Sequence, residues 1–344
     1  SAEQRLTSGR TLLSSEEDDV NLVSVERSTR TGARALRVNG KVDASTNADD
    51  MRTQRLLAHA PLLLHPAARS VLVVGLGSGV TIRSALRHGV EVLHCVEISR
   101  AVVRASSRWF GDENGQCLHD PRVKLILDDA RRYVERTTYR YDVVISEPSN
   151  PWMSGVGNLY TVEFFQKLRE RLNPGGLLCQ WIHTYNLDSD TLAMVMRTVR
   201  SVFPHVHVLR LDNGDLALIA STASVEPAQE ALTERMRQPA VQHELADLLA
   251  SHPLAFLGLQ LIAAEDLERF SGTGAVQTDD RPVLEYRAAR TLHSGVAAVI
   301  PEKIFRTGTR HGWVRRQLES RDGAGPELIE FCELARDQYD PDIY

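Results

Sequence analysis

Residues 70–79 read SVLVVGLGSG. A short apolar run enters the turn Gly75-Leu76-Gly77-Ser78-Gly79, and residues 81–88 (TIRSALRH) continue with helical spacing. A buried strand that passes through a glycine turn into a helix is the local form of a nucleotide-binding turn. Glycine permits the tight reversal and lets a ligand approach the backbone closely. Many such turns close a strand and bind nothing, so the surrounding residues must decide. Residues 91–98 (EVLHCVEI) form the next strand, and Glu97 falls at its end, about twenty residues past the turn, where a carboxylate accepts both hydroxyl hydrogens of a ribose. Ile82 stands where a GxGxxG pattern places its third glycine, so a nucleoside without phosphates suits the turn better than a dinucleotide. After a third strand at residues 123–127 (VKLIL), Asp128-Asp129-Ala130 brings a further carboxylate to the same sheet edge. An adenine amino group is the natural partner for Asp129.

Working outward, residues 141–146 (YDVVIS) and 176–181 (GLLCQW) supply two more strands, and residues 162–172 form a helix stopped by Asn173-Pro174-Gly175-Gly176. Strands alternating with helices predict an α/β Rossmann-like sheet of the methyltransferase type, mostly parallel and covered on both faces. Residues 206–211 and 216–220 flank the turn Asp212-Asn213-Gly214-Asp215 and predict an antiparallel hairpin at the sheet edge. Before this region, residues 20–26 and 33–38 alternate and are broken by Thr31-Gly32 and Asn39-Gly40, which are hairpin signals. The expected organisation is therefore a small β-rich lobe over 1–55, a nucleoside-binding catalytic domain over 56–222, and a mostly helical extension over 223–344.

The 344-residue chain is 42% hydrophobic and 25% charged, the profile of a soluble globular protein. Its net charge of −5 gives no reason to expect nucleic acid or an anionic membrane as partner. Cys95, Cys117, Cys179 and Cys332 show no metal-type spacing; Cys95 and Cys179 sit in apolar runs and predict buried thiols in a reducing, cytoplasmic setting. No signal peptide is visible, and the most apolar stretch, residues 245–264, is interrupted by Asp247, His252 and Pro253. The chain opens on Ser1-Ala2 without a methionine, from which a piece of a longer protein is expected.

The fourth strand runs into Glu147-Pro148-Ser149-Asn150-Pro151-Trp152, and ligands of open parallel sheets lie beyond such strand ends. Glu147 is therefore the candidate catalytic carboxylate. From about residue 39 to 221 the chain resembles the polyamine aminopropyltransferases, the spermidine and spermine synthase family. Residues 53–79 (TQRLLAHAPLLLHPAARSVLVVGLGSG), 120–130 (DPRVKLILDDA) and 141–151 (YDVVISEPSNP) carry the likeness. The wording VNGKVDAST, GLGSGVT, SEPSNPWMSGVGNLYT and QTDDRPVLEY is similar to a bacterial branch whose synthase-like domain is often fused to membrane helices. The resemblance implies an S-adenosyl donor, decarboxylated S-adenosylmethionine, and a polyamine-type amine acceptor, with no metal. It implies that Glu97 binds ribose, Asp129 contacts adenine and Gln54 faces the aminopropyl arm, beside the turn residues Gly75, Gly77, Ser78 and Gly79. Glu147 falls on the catalytic aspartate, and Asn150 on an aspartate that holds the amine. The family commonly forms dimers, so a homodimer is expected, and the bacterial branch adds a membrane module in the full-length protein.

Several departures bear on the chemistry. Ser78 replaces an aspartate of the glycine motif, Glu147 is one methylene longer than the family's acid, Asn150 is neutral, and Thr53 replaces a tyrosine of the gate. An ammonium–carboxylate contact is worth roughly 4 kcal/mol at 4 Å and an effective dielectric near 20, so losing carboxylates at 78 and 150 weakens binding of an ordinary diamine. Asp43, His59, Asp279 and Asp280 are candidates to compensate, with His59 and Tyr185 as acceptor-side residues. Ser78 also tolerates the carboxylate of intact S-adenosylmethionine, which makes a methyltransferase the alternative reading. A nucleoside-binding domain without turnover is the third. His205 and His207 share a strand face, but a metal site needs further ligands. Trp152 reads as core packing and Arg131-Arg132 as a solvated helix face.

Overall fold

Alternation of polar and apolar residues folds the N-terminal segment into a sheet. In the computed structural model, which describes residues 6–7, 9–212, 214–248, 252–291, 296–299 and 312–319, five consecutive antiparallel strands form it. They are β1 (Leu6–Thr7), β2 (Arg10–Glu17), β3 (Leu22–Ser28), β4 (Arg34–Val38) and β5 (Lys41–Ser45). The Asn39-Gly40 pair makes the two-residue hairpin that its sequence predicts: Val38 pairs with Lys41, and both turn residues take positive φ. One face, with Val23, Val25, Leu36 and Val38, is buried.

Helix α1 (Ala48–Leu64) follows at once and runs through position 55, so no break between regions falls there. Its apolar run Leu56-Leu57-Ala58 continues into Ala60 and residues 62–64, and burying these side chains outweighs the backbone bond lost to the internal Pro61.

The second sheet contains β6 (Ser70–Val74), β7 (Val92–Glu97), β8 (Val123–Leu127), β9 (Tyr141–Ser146), β10 (Leu172–His183), β11 (His205–Arg210), β12 (Asp215–Ser221) and β13 (Gln260–Ile262). Their order is β13-β11-β12-β10-β9-β6-β7-β8. The five from β10 to β8 are parallel, and β12, β11 and β13 join antiparallel. The predicted hairpin β11–β12 is present, but it is not the edge. The short run Gln260–Ile262, inside the region expected to be helical, pairs outside β11 and is buried.

Residues of β6 alternate between the two cores. Val71 and Val73 pack with α1, α2 (Val80–Ala85) and α3 (Arg100–Trp109), while Leu72 and Val74 face the opposite core. The chain then forms α4 (Gly111–Asn114), α5 (Ala130–Arg136), α6 (Val162–Glu170) and α7 (Ser189–Val202). Beyond the sheet come α8 (Gln229–Met236), α9 (Pro239–Leu245), α10 (Pro253–Leu257), α11 (Ala264–Ser271), α12 (Val283–Thr291) and α13 (Gly312–Glu319). Leu232, Val241, Leu254 and Trp313 belong to the α1 side, and Leu267, Leu284 and Ala288 to the other. No helix among the described residues is long and apolar enough to cross a membrane. Cys95, Cys117 and Cys179 are free and buried; Cys332 and the polar tail at 337–344 lie outside the described residues.

Candidate active site

From β6 the chain winds outward through β7 and β8, then returns to β9 on the other side of β6. The crevice at a doubly wound sheet's binding edge opens at that reversal. Here it brings the glycine turn against Glu147. Gly75 has φ +93°, and a Cβ on it would lie 2.4 Å from the backbone oxygen of Glu147. Glycine is therefore what lets β9 end beside the turn. The cavity has two lobes, of about 400 and 530 Å³, whose walls share Asp43, Gly77, Glu147 and Pro148.

The smaller lobe is built by the ends of β6, β7 and β8. Glu97 is buried at its wall; Oε2 accepts from the Leu76 amide (3.0 Å) and Oε1 from the Ser99 amide (2.8 Å). Burial pushes its carboxyl up to about 7 despite those bonds. Asp129 lines the same lobe while its Oδ1 caps α5 by accepting from the Arg132 amide at 2.9 Å. Arg131 is not a simply solvated cation: it lines this lobe and forms a bidentate ion pair with Asp279. That pairing removes Asp279 from the acceptor candidates. Asp280 is exposed and lines neither lobe.

The larger lobe is acidic. Asp43 on β5, Asp50 in the first turn of α1, Asp215 at the start of β12 and Glu147 all line it. Asp215 accepts from Thr53 Oγ1 (3.0 Å) and Trp181 Nε1 (3.1 Å). Burial raises all four acids, to about 7 for Asp50, about 6 for Asp215 and about 8 for Glu147, and mutual repulsion adds to the rise in Asp50 and Glu147. Lys41 bears on Asp43 and Asp215 and lowers both, but burial outweighs it. Arg52 pairs with Asp212 (3.2 Å), and Lys41 Nζ lies over the rings of Trp152 (5.3 Å) and Tyr185 (5.2 Å). A lobe in which four desolvated carboxylates outnumber the lysine that lines it has the charge to suit a cation.

The turn, Gln54, Ser78, Glu147, Asn150 and Tyr185 all meet at this cavity. Ser78 Oγ bonds Gln54 Oε1, and Gln54 Nε2 reaches the Ser45 carbonyl at 3.1 Å, so both polar atoms of the Gln54 amide are held. Tyr185 Oη donates to Asn150 Oδ1 (3.5 Å), and the tyrosine ring stacks on His183. His183 itself lies beneath the wall, Nδ1 against the Tyr185 carbonyl at 2.7 Å. Gly79 does not touch the cavity; it turns the chain against Asn114 and Cys117. Trp152 packs edge-on against His183, and His207 is buried against Trp313 and the Gln260 amide.

His59 is the clear correction. It lines neither lobe and is fully buried on the far side of α1, with Nδ1 2.9 Å from His88 Nε2 and Nε2 3.3 Å from Glu244 Oε2. The helical period explains the error, since Asp50, Thr53 and Gln54 share the cavity face while His59 has turned toward α2 and α9. Glu244 also accepts from Ser84 Oγ (2.7 Å) and Arg87 Nε (3.0 Å). Burial opposes its ionisation, but these bonds prevail and hold it at about 2. A carboxyl depressed on folding contributes stability above its unfolded pKa, near 4.5, and loses it as the pH falls toward the folded value. Glu244→Gln should cost about 2–4 kcal/mol in urea unfolding at pH 7, and the gap to wild type should close between pH 5 and 2. A gap that is constant with pH would show that the network is not ionic.

Sequence reasoning missed Asp50, Asp215, Lys41, Thr81 and Trp181. Asp50 was within reach, because it stands four residues before Gln54 on one helix and so shares its face. Asp215 was read only as a turn residue.

Together these features define a Rossmann-like fold with a two-lobed crevice, one lobe acidic, and with Asp43 and Glu147 in the wall of both. Residues 50–211, just under half of the chain, match the family model for the spermine/spermidine synthase domain. It is 32% identical over 202 residues to polyamine aminopropyltransferase 2 of Hyperthermus butylicus, covering 57% of this chain and 66% of that protein. Polyamine aminopropyltransferase 1 of Pseudomonas aeruginosa is 36% identical over 147 residues, 42% of this chain and 50% of the relative. The chain thus spans between half and two thirds of the length of these curated relatives. Among solved structures, a spermidine synthase in complex with the transition-state analogue AdoDATO superposes with TM-score 0.55 at 22% identity, over 69% of this chain and 88% of that one. The spermidine synthase of Thermotoga maritima gives 0.55 at 19% identity, covering 80% and 84%. Both share the fold.

Proposed function

We propose that the chain transfers an aminopropyl group from decarboxylated S-adenosylmethionine to a polyamine-type amine, releasing methylthioadenosine. The observation that carries this reading is the place of Glu147, at the junction of a lobe suited to a nucleoside and a lobe of carboxylates suited to an amine. Glu97 accepts from the ribose hydroxyls and Asp129 from the adenine amino group. The amine arrives as an ammonium among Asp43, Asp50, Asp215 and Glu147, and Glu147 takes one of its protons. The freed nitrogen attacks the carbon beside the sulfonium; a C–N bond forms, the C–S bond breaks, and its electron pair leaves on methylthioadenosine. Asp50 and Asp215 supply the negative charge absent at Ser78 and Asn150. The same charges disfavour the carboxylate of the intact donor, which favours aminopropyl over methyl transfer.

The test is incubation with decarboxylated or intact S-adenosylmethionine and putrescine, spermidine or agmatine, with products read by mass spectrometry. Methylthioadenosine together with an aminopropylated amine is expected. S-adenosylhomocysteine instead would overturn the reading. Asp215→Asn should raise the acceptor KM about tenfold, the effect of ~1.4 kcal/mol, and leave the donor KM unchanged; an equal rise in both would remove Asp215 from the acceptor's wall.

A further inference from the structure

Thr81, in the first turn of α2, stands where Glu147 reaches the opposite wall. Its Oγ1 is 2.6 Å from Glu147 Oε2 and 3.1 Å from the backbone oxygen of Gln54. The threonine is 3% exposed. A hydroxyl has one proton and can also accept, so it cannot donate to both oxygens at once. Resting on the reading of Glu147 as the base, we propose that Thr81 is the positioning residue that holds this carboxyl in both of its protonation states. When Glu147 is ionised, the hydroxyl donates to it, and 2.6 Å is the separation of a charge-assisted O–H···O⁻ bond. When Glu147 carries a proton, its O–H donates to Thr81 Oγ1, and the hydroxyl turns to the Gln54 carbonyl. The Glu147–Thr81 bond is kept in both states, and the carboxyl need not move between them.

The geometry also explains why a glutamate fits here. Glu147 reaches across to α2, and Gln54, through its backbone oxygen and its side chain, ties α1 to Thr81 and Ser78. The base is thereby fixed to the same wall that carries the arm-facing glutamine. Other groups also face Glu147: Asp43 from β5, Asp50 from α1, Asp215 from β12, and the thiols Cys95 of β7 and Cys179 of β10. The three aspartates disfavour its ionisation, whereas the buried thiols are neutral and are themselves pushed up by Glu147. Burial disfavours the ionisation of Glu147 most, and the Thr81 bond is the first influence that opposes it.

The sign follows. Removing the hydroxyl raises the pH at which Glu147 becomes a base. Thr81→Val should move the ascending limb of the kcat/KM–pH profile up by about one unit, so the rate at pH 7 drops about tenfold and recovers toward wild type at high pH. Thr81→Ser should restore the wild-type midpoint. Comparing variant with wild type on the same acceptor cancels the titration of the amine. A second readout needs no turnover: infrared titration of the protonated-carboxyl band that Glu147→Gln abolishes should show the same displacement in Thr81→Val. A loss of rate that is uniform with pH, an unmoved infrared midpoint, or a serine variant that behaves like valine would each overturn the proposal. Absence of methylthioadenosine from the wild-type protein would instead overturn the reaction, and the infrared midpoints would still decide the role of Thr81.

Discussion

Glu147→Gln is expected to bind nucleoside as wild type does and to turn over about 10²- to 10⁴-fold more slowly, the range for loss of a positioned general base. Glutamine keeps the length of the side chain and can accept the Thr81 hydroxyl bond, so the wall should stay in place. What it loses is the capacity to take a proton from the arriving ammonium and one negative charge between the lobes. The substitution also relieves repulsion, because Asp43, Asp50 and Asp215 all bear on Glu147. The variant should therefore be at least as stable as wild type in urea, which separates a chemical defect from a folding one. Calorimetry with methylthioadenosine and single-turnover product analysis check both halves. Wild-type turnover in this variant would remove Glu147 from the chemistry.

Gly75→Ala should be the most damaging single methyl group in the site. The residue sits at φ +93°, where a Cβ is strained, and that Cβ would meet the Glu147 carbonyl at 2.4 Å. Neither partner is a flexible side chain; both are backbone at the ends of paired strands β6 and β9. Relief requires the strands to part, and Glu147 moves with β9. A loss of about 2–4 kcal/mol in unfolding free energy is expected, with turnover falling further than stability explains. By comparison, a Cβ on Gly77 would find only Ala44 Cβ at 3.6 Å, so its cost comes from φ alone. Unfolding curves for the two alanine variants give the check. Equal losses would mean that the close approach at Gly75 does not matter.

These two residues also mark what the sequence makes legible. Strand, glycine turn and helix are written locally, so the order of β6 to β10 and the acids Glu97, Asp129 and Glu147 at their ends could be read by counting. The Asn39-Gly40 hairpin was legible for the same reason. The larger lobe was not, because its walls come from β5, α1 and β12, which are distant in sequence and meet only through the fold. Nothing local distinguishes Asp215 from any turn aspartate until Trp181 and Thr53 are seen donating to it. His59 failed for the opposite reason. Its position beside the gate segment invited a role, and the rotation of α1 carried it to a buried network with Glu244. The strand β13 was hidden inside a run whose apolar residues fit a helix equally well, since periodicity cannot decide so short a segment.

The division of the cavity has an evolutionary consequence. Among the described residues, the two lobes have only Asp43, Gly77, Glu147 and Pro148 in common. On the proposed reading, grip on the nucleoside lies mainly at the ends of β6, β7 and β8, and the charge offered to the acceptor mainly in β5, α1 and β12. Selection can therefore trade one acceptor for another by moving carboxylates among those three outlying elements while the donor's half is inherited intact. The neutral Ser78 and Asn150, set against the acidic Asp50 and Asp215, have the form such an exchange would leave behind.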